Sequence, residues 1–285
     1  MAAAEIGVVG GSGLYDFPGL EGVEEVRLDT PFGPPSDAYR LGTLDGRRVA
    51  FLARHGRGHH LSPSTINYRA NLFGFKLLGV SRVLSASAVG SLSEAIAPLD
   101  LVVPDQFIDR TRHRADTFFE DGIVAHVAFA DPVCPELTRA LAGAARDLPV
   151  RLHRGGVYLC IEGPQFSTRA ESHLYRSWGA SIIGMTNVQE ARLAREAELC
   201  YATLALVTDY DCWREGESVE VAAILATLAR NAENATTLIG ACIRSLPVRR
   251  GCACGVALRD AILTPLDRVP AATRDRLRPL LDGRL

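Results

Sequence analysis

The stretch over residues 200–213, CYATLALVTDYDCW, runs apolar and β-favouring residues into two carboxylates, Asp209 and Asp211. Residues 202–207 carry no charge and suit a strand covered on both faces, as in the parallel sheets of α/β proteins. Ligands of such sheets collect at the carboxyl ends of the strands. If the chain stays extended past Thr208, Asp209 and Asp211 point to the same side of the backbone. Burial and mutual repulsion raise at least one pKa in such a pair, which suits a proton donor beside a polar recognition group. The bland alternative is a loop with solvated aspartates, and this stretch alone leaves both readings open.

No polar, low-complexity linker divides the 285 residues, so a single domain over 1–285 is expected. A formal charge of -2 offers no general attraction to nucleic acid or to an anionic membrane, which makes a small molecule the expected partner. The opening MAAAEIGVVGG has no basic region, and nothing later reaches the ~18 consecutive apolar residues of a membrane helix; a cytoplasmic location is expected. The 7 cysteines are an odd, scattered set, which argues against a secreted disulfide framework. Cys252 and Cys254 form a lone CxC pair without the second pair and histidines of a structural zinc site. No metal is expected there, and a local redox pair stays open.

Strands are expected over 6–9, 37–44, 48–53, 81–91, 99–103, 155–161 and 180–184, and helices over 65–78, 135–147, from Ser167, 188–197, 219–246 and 271–281, with a further C-terminal piece at 257–262. Asp45-Gly46 marks a hairpin. Residues 104–114 read as a polar loop and 112–135 lack periodicity. The alternation predicts an α/β fold, a single domain with a central mixed β-sheet flanked by helices.

Several strand ends carry chemistry. Gly10-Gly11-Ser12-Gly13 is either a tight turn or an anion cradle, and it lacks the third glycine of a dinucleotide fingerprint. The basic run from Arg54 and His55 through Arg57, His59 and His60 suits phosphate, since arginine gives forked hydrogen bonds; a solvated loop is the bland reading. Ser85, Ser87 and Ala88 put small groups at another strand end, Glu162 and Phe166 sit in a strand-to-helix turn, and Met185-Thr186-Asn187 lead into a helix N-terminus. Phe166 either stacks on a flat ring or plugs the core, and His126, among small apolar residues, reads as a core histidine.

In order along the chain, GVVGGSGLYD, DTPFGPPSD, ARHGRGHHLSPSTINYRAN, ASAVGSL, DQFIDRT, YLCIEGPQFSTRAES, GMTNVQEARLAREAELCYA and TDYDCW together resemble the nucleoside phosphorylases of the trimeric purine type, and among them those acting on 5'-methylthioadenosine. The resemblance runs from Ile6 to about Leu246, with a C-terminal extension of about 247–285 packing on that domain. It implies phosphorolysis: phosphate, a co-substrate, attacks C1' of the nucleoside and releases the base, with no cofactor and no metal. Carried over by position, Ser12, Arg54, His55, Ser87, Ala88 and Thr186 would hold phosphate, and Met185 would lie under the ribose. Phe166 would pack on the purine, Asp209 would protonate N7 and Asp211 would recognise the 6-amino group. His126 would then reach the neighbouring subunit's 5' pocket in a homotrimer, and Val221 and Ile224 would cover the methylthio group. Ser12 and Ser87 stand where threonines occur in relatives, and Gly184 where an asparagine can. A phosphorylase for 6-oxopurine nucleosides or methylthioinosine is the nearest alternative. A non-catalytic or dinucleotide-binding protein is the alternative from another class.

Overall fold

The computed structural model describes residues 4–214 and 221–284, without the side chains of 221–223 and 225. Its strands are β1 (Ile6–Gly10), β2 (Glu21–Val26), β3 (Tyr39–Leu44), β4 (Arg47–Ala53), β5 (Arg82–Ser91), β6 (Leu101–Val103), β7 (Gln106–Arg110), β8 (Leu152–Arg154), β9 (Val157–Ile161), β10 (Ala180–Gly184) and β11 (Cys200–Asp209). The helices are α1 (Tyr68–Leu77), α2 (Pro135–Ala144), α3 (Arg169–Ser177), α4 (Val188–Glu196), α5 (Val221–Ser245) and α6 (Ala271–Leu281). All the strands join one mixed sheet in the order β2-β3-β4-β1-β5-β10-β9-β7, with β11 branching from β5 and continuing to β6 and β8.

Strand β5 is where the sheet divides. It pairs in parallel with β1 and, along nearly its whole length, with β11, while its last residues Gly90 and Ser91 pair antiparallel with β10. Nine of the ten β11 positions are buried, as its unbroken apolar run requires. One face of the sheet is covered by α1, α4 and α6 through Phe73, Phe75, Leu193, Leu277 and Leu281. The other is covered by α2 and α5 through Leu137, Leu141, Leu238, Ile239 and Ile243. The segment after 246 joins the first cluster through Leu258, Ala261, Val269 and Leu280.

The β3–β4 hairpin turns on Asp45 (φ 49°) and Gly46 (φ 80°), the double positive φ that its twist demands. Thr168 caps α3 and Glu171 closes a capping box, one residue beyond the Ser167 start read from sequence. The polar loop expected over 104–114 is corrected: Gln106–Arg110 is a strand, β7, paired in parallel with β9. It ends the main path of the sheet and stays partly exposed, so its polar residues mask it. The same reason hides β2, whose EGVEEV is exposed at the opposite end. Residues 257–262 form turns rather than a regular element, with Ile262 bridging Ala125. Val219, the expected start of the long helix, lies outside the described residues.

Candidate active site

A cavity of about 510 Å³ opens where β1, β4, β5, β10 and β11 end, a size suited to a small organic molecule. It gathers Ser12, Arg54, His55, Ser87, Ala88, Phe166, Met185, Thr186, Asp209, Asp211 and Ile224 from distant parts of the chain. His126 does not line it. That histidine is exposed and, among the described residues, only its backbone N–H is bonded, to the Ala261 carbonyl at 2.8 Å, so the core-histidine reading fails. Val221 opens α5, and its side chain lies outside the described residues.

Arg54 follows β4 directly and its guanidinium is 1% exposed. It donates to both carboxylate oxygens of Glu190, to Ser85 Oγ and, at 2.8 Å, to the Ala86 carbonyl. Burial disfavours the cation, but the Glu190 charge outweighs it and holds the Arg54 pKa above its ordinary value. Glu190 also accepts from Ser85 Oγ and Tyr201 Oη, each at 2.8 Å, and its pKa is lowered despite its burial. The glycine turn now has a reason: a Cβ on Gly11 would stand 2.6 Å from the Ala86 carbonyl and 2.7 Å from Arg54 Nη1. Nearby, Ser87 Oγ lies 3.2 Å from both Thr186 Oγ1 and Tyr158 Oη, and Thr186 sits at the approach to the α4 N-terminus. A buried cation, hydroxyls and a helix N-terminus make an anion site. Arg57 and His60 do not belong to it. Arg57 pairs with Glu25 and Asp37, and His60 is exposed, so the solvated-loop reading holds for those two.

The His55 Nδ1 lies 2.9 Å from the Leu61 carbonyl, which can only accept, so Nδ1 carries the proton and Nε2 is left as the acceptor on the neutral ring. Burial, helped by the Arg54 charge, pushes its pKa down to about 4. Between that value and the ordinary 6.5 the folded chain binds fewer protons at this site than the unfolded chain. Stability at this site is therefore complete above about 6.5 and is lost as pH falls toward about 4. Urea midpoints of His55→Gln should decline less over that window than those of the parent; parallel declines would contradict a neutral buried His55.

At the opposite end, β11 stops at Asp209 and the chain turns, with Asp211 at φ 54°. The aspartates are brought together by this turn, not by the extended backbone expected from sequence. Asp211 N–H donates to Asp209 Oδ1 at 2.7 Å, and the Thr208 hydroxyl donates to Asp209 Oδ2 at 2.6 Å. Burial raises the Asp211 pKa, and the Asp209 charge adds to that. Phe166 is 50% exposed on the cavity wall, which excludes a core plug. Arg114, its side chain 1% exposed, holds Met185 by donating to its carbonyl at 2.6 Å. A Cβ on Gly184 would meet Tyr158 Oη at 2.0 Å, so the tyrosine hydroxyl takes the space of any side chain there. Glu162 is tied down by Ser64, Arg112 N–H and Arg114, and does not line the cavity. Sequence reading missed Tyr15, Leu228 and Glu190. His59, read from sequence only as part of the basic run, lines the cavity stacked 4.3 Å from His55.

A model of the phosphorylase superfamily matches residues 5–244. The chain belongs to the phosphorylase superfamily. Among its members, the S-methyl-5'-thioadenosine phosphorylase of Koribacter versatilis is 58% identical over 279 residues, covering 98% of this chain and 96% of the relative. That of Thermosynechococcus vestitus is 61% identical over 286 residues, covering 98% of each. The crystal structure of a methylthioadenosine phosphorylase from an antarctic soil metagenomic library superposes with a TM-score of 0.92 at 49% identity, covering 99% of this chain and 100% of that one. A Schistosoma mansoni methylthioadenosine phosphorylase in complex with adenine gives a TM-score of 0.86 at 34% identity, covering 93% of this chain and 99% of that one. These family members share the α/β architecture with a central mixed sheet described above.

Proposed function

We propose that the chain is a pentosyltransferase that cleaves 5'-methylthioadenosine with inorganic phosphate to adenine and 5-methylthioribose 1-phosphate. The observation that carries the reading is a single cavity with an anion site at one end and a carboxylate pair at the other. A phosphate oxygen attacks C1' as the C1'–N9 bond breaks, and the bonding electrons leave with the base. Arg54, His55, Ser12, Ser87, Thr186 and the backbone at Ala88 hold the phosphate. Neutral His55 offers Nε2 to a phosphate hydroxyl, while Arg54 supplies the positive charge. Met185 supports the ribose, Phe166 packs on the purine, and Ile224 covers the methylthio group. Asp209 gives the proton that N7 takes up as charge develops on the base.

Asp211 accepts from the 6-amino group; a 6-oxo group would set acceptor against acceptor. Comparing turnover of 5'-methylthioadenosine with that of 5'-methylthioinosine tests the reading, and preference for the inosine compound would overturn it. Asp211→Asn should shrink the preference about 10- to 150-fold, the worth of a hydrogen bond to a charged group. An unchanged ratio of kcat/KM values would remove Asp211 from base recognition.

The reaction asks for no resident cofactor, because phosphate is itself the nucleophile. Single domain, phosphate site and base site act as one unit over 1–285. Free nucleoside and phosphate are the partners, with no nucleic acid and no membrane; no helix among the described residues is long and apolar enough to cross one. We place the reaction in the cytoplasm. His126, exposed and not among the residues lining its own chain's cavity, would reach a neighbour's 5' pocket in a homotrimer. Sedimentation should give a trimer, and His126→Ala should raise KM for the nucleoside; a fully active monomer would contradict both.

A further inference from the structure

The CxC pair is not alone in the fold. Cys134 at the start of α2 and Cys200 at the start of β11 are brought to Cys252 and Cys254, and all four Sγ atoms lie within 4.8 Å of one another. Cys134 Sγ is 3.7 Å and Cys200 Sγ 3.3 Å from Cys252 Sγ. A disulfide needs about 2.05 Å. Four thiolates at about 2.3 Å from a tetrahedral zinc stand about 3.8 Å apart, close to the spacing found. We infer that Cys134, Cys200, Cys252 and Cys254 form a structural zinc site.

The ligands are held by groups that fix their backbones. Cys134 N–H donates to the Tyr201 carbonyl at 2.7 Å, which locks two ligand-bearing segments together. Glu136 accepts from Gly251 N–H at 2.6 Å and from Arg82, whose side chain is 2% exposed. Arg250 packs against the CxC turn so closely that a Cβ on Gly255 would meet its Nη2 at 2.7 Å. Cys134, Cys200 and Cys254 are buried, so the site is closed, as structural zinc sites are. Loading replaces four S–H bonds with four S–Zn bonds, sends four protons to solvent and transfers no electrons. The ion would clamp the C-terminal segment onto β11 and α2. It lies at the opposite end of β11 from Asp209, roughly 30 Å away for nine residues at ~3.3 Å each, and takes no part in the reaction.

The test uses the full-length protein purified with reductant from zinc-supplemented cells, without chelator. Elemental analysis should find about one zinc per chain. Exchange with cobalt(II) should give the intense visible bands of a tetrahedral thiolate complex, and a strong chelator should lower the melting temperature. Cys252→Ser/Cys254→Ser should lose the metal and the cobalt bands. If that variant does not fold, the metal content and cobalt spectrum of the parent decide alone. Metal-free parent protein, or an intact mass showing disulfides among these cysteines, would overturn the site and favour a redox role.

Discussion

Asp209→Asn is expected to lower kcat by about 10²- to 10⁴-fold, the usual contribution of a positioned general acid, while the dissociation constant of the nucleoside changes far less. Asparagine keeps the shape: its Oδ1 can still accept from Asp211 N–H, and its Nδ2 can donate to the Thr208 hydroxyl oxygen, so the turn beyond β11 survives. What it lacks is a transferable proton. Asp209 must carry its proton when N7 is engaged, so the rate should follow the protonated acid in the bound complex. The pH profile is the discriminating readout. The parent should lose kcat on its alkaline limb as the bound acid titrates, and that limb should vanish in Asp209→Asn. Equal, small losses in rate and affinity, with the profile unchanged, would remove Asp209 from proton transfer.

Glu190→Gln is expected to cost about 3–5 kcal/mol of stability, because it strands the Arg54 cation in a site where both side chains are 1% exposed. It should also raise KM for phosphate, since the guanidinium is aimed by its two bonds to this carboxylate. Arg54→Met/Glu190→Leu removes both charges and should recover much of the stability, as buried ion pairs often exchange for apolar pairs at little cost. Phosphate binding should stay lost in that double variant. Thermal unfolding and phosphate kinetics measure the two effects separately. A Glu190→Gln chain as stable as the parent would mean that Ser85 Oγ and the Ala86 carbonyl satisfy Arg54 without it.

The central strand was legible because burial on both faces leaves an unbroken apolar run, and β11 is that run. Asp209 was legible for the same reason, as the charged residue that ends it. The route to Asp211 was not, since an aspartate at positive φ looks in sequence like any residue of an extended end. Edge strands β2 and β7 were missed because neither buries a whole face, so neither shows apolar alternation. Glu190 was invisible inside an ordinary helical pattern; only the fold brings it 136 residues back to Arg54. Cys134 and Cys200 escaped for a like reason, lying 118 and 52 residues from Cys252. Motif reading finds neighbours in sequence, and these partners are neighbours only in space. His126 shows the converse: resemblance gave it a role across a subunit boundary, which a single chain's cavity does not contain.

The most direct measurement is phosphorus NMR of the chain incubated with 5'-methylthioadenosine, with and without inorganic phosphate. Phosphorolysis predicts adenine release only when phosphate is present, with an equal amount of a new sugar 1-phosphate resonance. Adenine released at the same rate without phosphate, with no phosphorylated sugar formed, would contradict it.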